Sequence, residues 1–233
     1  LRQIKIFSDY RLDLICSYCS NNATETRDHV PSKILLDEPF PENLPVVPCC
    51  TKCNQDFSKD EEYFACSIEC ILRGSSNIEK LQRQKIKMSF QKRPALQKQI
   101  ENSFIFQNGI LTFKYKQERF ENVATKLAKG HVKFETSNPQ FIEPTSIVFK
   151  SLSSMTEVET DSFFSLSQLN ILPEVGSRAL QNLIIDGNGI IQSNWKTAQD
   201  NKYKYSVIND VELLIVRIVV WNYLAIEVIW NDN

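Results

Sequence analysis

The chain has 233 residues, 42% hydrophobic and 24% charged, the balance of an ordinary folded chain with room for one or two domains. Its formal net charge is −1, so no global field draws it to nucleic acid, and such binding must come from a local basic patch or a bound metal ion. Seven cysteines, an odd number with Cys49 and Cys50 adjacent, fit metal thiolates in a reducing compartment better than a disulfide framework. The opening Leu1-Arg2-Gln3-Ile4-Lys5-Ile6 has no long apolar segment, and a cytoplasmic protein is the expectation.

The first informative stretch runs from Cys16 to Asn54, where two C-x-x-C pairs, Cys16/Cys19 and Cys50/Cys53, bracket Asp28-His29. Four thiolates in two close pairs match a tetrahedral structural zinc site. Between them Thr24 to Val30 reads as a short strand closed by Pro31, which cannot continue a central ladder. A loop punctuated by Pro39, Pro41 and Pro45 follows, and Leu44 to Pro48 returns as a second strand. A helix is expected from about Cys53, with a capping-box pattern at Ser58 and Glu61, running to a stop at Gly74. Cys66 and Cys70 lie four apart on one face of it. They read as core packing, or as half of a second metal site for which no third ligand is in reach. Cys49 reads as packing too.

Gly74-Ser75-Ser76 marks the expected boundary between a finger module, residues 1–75, and a second domain, residues 76–233. From Lys80 to Lys98 every charge is positive (Lys80, Arg83, Lys85, Lys87, Lys92, Arg93, Lys98), which suits either a solvated face or a phosphate-tracking surface. Asn108-Gly109 between apolar runs predicts a hairpin over residues 103–113. Phe120, Val123, Lys126 and Leu127 outline an amphipathic helix stopped at Gly130, after which His131 reads as structural. Strands are expected over residues 141–149, 189–192 and 203–208, with a helix near 161–169. Leu213 to Trp230 is long enough to span a bilayer. It holds Arg217, Asn222 and Glu227 and is rich in strand formers, so it reads as a buried hairpin turning at Trp221-Asn222-Tyr223. Residues 76–233 therefore form an α+β domain with an antiparallel sheet.

Asp28-His29-Val30-Pro31, Asn43-Leu44 and Cys50-Thr51-Lys52-Cys53-Asn54 occur in the order His, Asn, Asn between paired cysteines. Over about residues 14–62 this resembles the HNH, or ββα-metal, endonucleases, in the subgroup whose catalytic finger is pinned by four cysteines. The ending, Tyr203 to Trp230, is similar to that of uncharacterised bacterial HNH proteins. The resemblance implies an α+β chain built on a treble-clef-like ββα finger, with zinc on Cys16, Cys19, Cys50 and Cys53. It also implies magnesium or manganese on Asp28 and Asn54, His29 as general base, and Asn43 holding the loop and imidazole in position. DNA is the implied partner, with RNA also open and no membrane. One departure is Phe57, where such proteins carry a basic residue; here the lysine comes later, at Lys59. The competing reading is a zinc-stapled module that binds nucleic acid or protein and has lost the chemistry.

Overall fold

The computed structural model describes residues 12–21, 25–42, 44–174, 177–181, 184–185 and 191–231. Strands β1 (Thr26–His29) and β2 (Val46–Cys49) come first, then helices α1 (Thr51–Arg73), α2 (Gln84–Lys92) and α3 (Pro94–Glu101). Strands β3 (Phe104–Gln107) and β4 (Ile110–Phe113) precede α4 (Gln117–Thr136), β5 (Ser146–Ser151), α5 (Glu157–Phe164) and the short α6 (Arg178–Gln181). The chain closes with β6 (Ile184–Ile185), β7 (Ile191–Gln192), β8 (Lys196–Gln199), β9 (Tyr203–Asp210), β10 (Leu213–Val220) and β11 (Leu224–Asn231). It is a mixed α and β chain in which the described strands pair antiparallel. No described helix is long and apolar enough to cross a membrane.

Two compact units form. One takes in the residues up to Asn54 and those from Ala124 on; the other is Gln55–Val123. The division expected at residue 75 coincides with neither boundary. Both boundaries fall inside long helices, α1 and α4, so neither carries the Gly-Ser signature that marked residue 75.

In the unit Gln55–Val123, α1 buries Tyr63, Phe64, Ile68, Cys66 and Cys70. The Phe120 ring lies 4.7 Å from Phe64 and 4.5 Å from Tyr115, centroid to centroid. Burial pushes the Cys70 thiol up to about 12, and Cys66 higher still, so both stay protonated and pack as small apolar groups. Ser58 is not a cap. The helix has already begun at Thr51, and the Ser58 hydroxyl donates back to the Gln55 carbonyl at 2.8 Å. The stop at Gly74 does occur, at φ +59, with the Ser75 N–H reaching the Cys70 carbonyl at 3.1 Å. Buried Glu69 accepts from the N–H groups of Gln82 (2.7 Å) and Arg83 (3.3 Å), which holds the entry to α2. The basic stretch is not one uniform face, because Arg83 is buried and Arg93 pairs with Glu62. Asn108 and Gly109, at φ 52 and 76, make the expected turn between β3 and β4.

In the other unit the sheet order is β5-β11-β10-β9-β8. The apolar run from Leu213 to Trp230 forms the expected hairpin, turning through Trp221 and Asn222 at φ 54 and 48. The strand expected over 141–149 begins only at Ser146, and the helix expected over 161–169 is α5, started by a capping box at Thr156 and Glu159. Of the strand expected over 189–192, β7 covers Ile191–Gln192, and residues 189–190 lie outside the described range. Helix α4 does not stop at Gly130 but continues to Thr136. The glycine is there for close approach: a Cβ would lie 2.6 and 3.0 Å from the γ carbons of Val30 and 3.1 Å from the Tyr18 hydroxyl. One residue on, His131 is fully buried, 2.8 Å from the Tyr203 hydroxyl and stacked 3.7 Å from the Tyr205 ring. Tyr205 donates to Glu135 at 2.7 Å, and Lys196 pairs with the same carboxylate. His131 is thus structural, as expected, although it sits within the helix and not after it.

Gly130→Ala gains about 1 kcal/mol of helix propensity but crowds Val30 and Tyr18, at a cost of about 1–3 kcal/mol. The expected outcome is a lowered melting temperature; an unchanged or raised one would mean that α4 can back away freely.

Burial, with Lys196 and Lys126 adding to it, holds the His131 imidazole well below its usual range near 6.5. Below about pH 6.5 the unfolded imidazole takes up a proton that the folded one refuses, so the unfolded state binds more protons and stability is lost as the pH is lowered. Melting curves from about pH 7 to about pH 5 should show this fall, and His131→Gln should reduce it.

Candidate metal centre

The four cysteines converge through backbone hydrogen bonds. The Cys16 N–H reaches the Asn21 carbonyl at 2.8 Å, closing the first knuckle. Both the N–H and the hydroxyl of Ser17 then donate to the Pro48 carbonyl in β2, at 3.0 and 2.8 Å. That clamp sets the first pair beside the end of β2, after which Cys50 comes just before α1 and Cys53 in its first turn. All four Sγ atoms lie within 4.8 Å of one another, with Cys19 and Cys50 at 3.7 Å. Four thiolates about 2.3 Å from a central ion form a tetrahedron with edges of about 3.8 Å. The cluster could therefore hold a metal ion such as zinc. The Cys53 N–H also points at the Cys50 sulfur, at 3.5 Å.

The neighbouring Cys49 side chain, with backbone bonds from Cys50, Tyr18 and Cys19, outweighs burial and pulls the Cys16 thiol down to about 4. Burial pushes Cys53 and Cys19 up, while Cys49 is raised chiefly by its bond to Cys16. Without a cation, then, the cluster does not favour four thiolates at once. Cys49 lies against the cluster but is not one of its four members; Cys66 and Cys70 join no such cluster among the described residues.

Asn54 bonds Thr26, which shares a face of β1 with Asp28. Thr26 and Asp28 alternate with Arg27 and His29 along the strand, so the Thr26 and Asp28 side chains share a face, their Cα atoms about 7 Å apart. The Thr26 hydroxyl spends its proton on the Cys49 carbonyl at 2.8 Å, so toward Asn54 it can only accept. The Asn54 amide nitrogen donates to it at 3.2 Å, and that fixes which amide atom is left over. The Asn54 oxygen has no hydrogen-bond partner among the described residues. Asn54 is not the helix N-cap either: α1 begins at Thr51, and the Asn54 N–H bonds the Cys50 carbonyl at 3.1 Å.

Asp28 is 9% exposed. Its Oδ2 accepts from the Tyr18 hydroxyl at 2.6 Å and lies 2.6 Å from the Lys126 ammonium, whereas Oδ1 has no partner among the described residues. His29, the last residue of β1, is half-buried. Burial, then the Lys33 charge, holds its imidazole below the usual range, with Asp28 opposing. Asn43 lies outside the described residues. Tyr18 and Lys126 were missed at the sequence level. Tyr18 is an x position within C-x-x-C, Lys126 is one lysine among many in an amphipathic helix, and no local pattern links them. No protein-family model, no curated protein and no solved structure matches the chain.

Elemental analysis should find one zinc per chain. Cys16→Ser and Cys53→Ser should each lose it along with solubility, because the metal would tie the knuckle before β1 to the end of β2 and the start of α1. Soluble, folded wild-type protein without zinc would remove the assignment.

Proposed function

We propose that the chain is a metal-dependent endonuclease of the HNH, ββα-metal type that hydrolyses DNA phosphodiester bonds, with RNA as an open alternative substrate. Zinc on Cys16, Cys19, Cys50 and Cys53 is structural in this reading, and magnesium or manganese sits on Asp28 and Asn54. The observation that carries it is two oxygens without a partner among the described residues: one of the Asp28 carboxylate on β1, and that of the Asn54 amide, which follows Cys53 and bonds Thr26, a residue on the same face of β1 as Asp28. Hard oxygen donors of this kind suit magnesium, which is held by few protein ligands and keeps several waters. The order β1, β2, α1, with Asp28-His29 on the first strand and Asn54 in the first turn of the helix, supports the same reading.

When bound, the divalent ion supplies neutralisation of charge on the phosphoryl oxygens. His29 does the proton work: its imidazole is neutral near neutral pH, and it takes the proton from the attacking water at a ring nitrogen. No hydrogen bond within the described residues occupies that ring. Asn43 keeps the positioning role that the resemblance gives it. Cysteine usage suits a reducing, cytoplasmic setting.

The second reading, a non-catalytic zinc-stapled binding module, is favoured by one observation. The Lys126 ammonium already balances the Asp28 carboxylate, so this carboxylate needs no metal ion for charge compensation.

Zinc-loaded protein incubated with plasmid should cleave it with magnesium or manganese and not with a chelator present. His29→Ala should lower the rate by about 10²–10⁴-fold with zinc content and melting unchanged. Because the His29 pKa is depressed, the acid limb of the rate profile should lie below about pH 6.5. No cleavage by folded, zinc-loaded protein under any divalent metal would leave the binding module as the function.

A further inference from the structure

The Lys126–Asp28 pair lies where a divalent ion would be expected to act on the carboxylate. Lys126 is 1% exposed and comes from α4, far along the chain from β1. Its ammonium meets Asp28 Oδ2 at 2.6 Å and the buried Ser32 hydroxyl at 2.9 Å. Tyr18, also buried, donates to the same Oδ2 at 2.6 Å. Gly130, one turn further along α4, lets the helix approach Tyr18 and Val30 closely enough to hold this arrangement. One carboxylate oxygen is thus gripped by two donors from separate parts of the chain, and the other is left over.

We propose that Tyr18 and Lys126 are positioning residues that grip Oδ2 of Asp28 so that Oδ1 alone is offered to a divalent ion, with Lys126 also setting how tightly that ion binds. This rests on the reading of Asp28 as a metal ligand. The two residues act in opposite senses. Tyr18 is neutral and contributes orientation, so its loss weakens metal binding as loss of an outer-shell partner does. Lys126 brings a positive charge beside the site, where it repels a second cation and offsets the carboxylate that would attract it. Its loss leaves Asp28 buried without a counter-ion, a state that a bound divalent ion relieves. A site balanced in this way binds metal weakly in the free protein and gains affinity when a phosphate adds negative charge.

The test is Mn2+ binding to the zinc-loaded full chain, followed by water-proton relaxation, for wild type, Tyr18→Phe, Lys126→Met and Asp28→Asn. Tyr18→Phe is expected to weaken Mn2+ by about tenfold and Lys126→Met to tighten it by about tenfold. Mn2+ should also raise the melting temperature of Lys126→Met more than that of wild type. Should Lys126→Met lose zinc or solubility, Lys126→Gln, which keeps a donor for Ser32, takes its place. A merely structural ion pair would lower the melting temperature and leave Mn2+ affinity alone. If Asp28→Asn abolishes binding while the Tyr18 and Lys126 variants bind like wild type, the inference falls and the metal site stands. If Asp28→Asn binds Mn2+ like wild type, Asp28 is no ligand and both fall.

Discussion

Four sulfur atoms within 4.8 Å of one another cannot all be thiolates unless a cation lies among them, and in this chain they are held that close by hydrogen bonds from Ser17 to Pro48 and from Cys16 to Asn21. The β1–β2 ribbon and the start of α1 depend on that convergence. β1 and β2 pair over only four residues each, too short a ribbon to persist by itself, and the loop joining them carries four prolines. A metal on the four thiolates would tie the end of β2 and the first turn of α1 to the knuckle before β1. Asn54 follows Cys53 directly, so the same closure brings its amide over Thr26, two residues before Asp28 on β1.

Around that centre the polar groups are arranged by subtraction. Thr26 gives its proton to Cys49 and must accept from Asn54, which leaves the Asn54 oxygen over. Tyr18 and Lys126 both take Oδ2 of Asp28, which leaves Oδ1 over. A buried carboxylate without these donors would carry a desolvation cost of several kcal/mol. With them it is charge-balanced, and its remaining oxygen is available to a ligand. The second donor comes from a helix whose packing depends on the absence of a side chain at Gly130 and continues one residue on through His131 against Tyr203 and Tyr205. The sheet and the loop between β1 and β2 are joined in the same unit by the Trp221 indole donating to the Leu35 carbonyl at 2.8 Å, and by Gln199 bonding both backbone groups of Asp37.

Local chemistry was readable in the sequence wherever one residue's conformation or spacing decided the outcome. The paired cysteines, the Asn108-Gly109 turn, the stop at Gly74 and the turn at Trp221-Asn222 all belong to this kind, each with a positive φ or a ligand spacing behind it. The failures came where a residue's role is tertiary. Gly130 looks like Gly74 in sequence, yet one ends a helix and the other admits a neighbour, and only the position of Val30 distinguishes them. Ser58 and Glu61 match a capping box, but a helix already under way from Thr51 has no use for one. The Asp28–Lys126 pair spans too much of the chain for any periodicity to carry it. The roles of Asp28, His29, Asn43 and Asn54 rest on a resemblance in residue order, and the unpartnered oxygens of Asp28 and Asn54 add a physical reason to it.

The claim on which the account turns is that these two oxygens share one divalent ion. Crystals of the zinc-loaded protein soaked with Mn2+ and measured at the manganese absorption edge would decide it. The account predicts an anomalous peak about 2.1 Å from both Asp28 Oδ1 and Asn54 Oδ1, separate from the zinc on the four cysteines. Ordered Asp28 and Asn54 side chains with no peak between them, under Mn2+ that binds elsewhere or not at all, would contradict it.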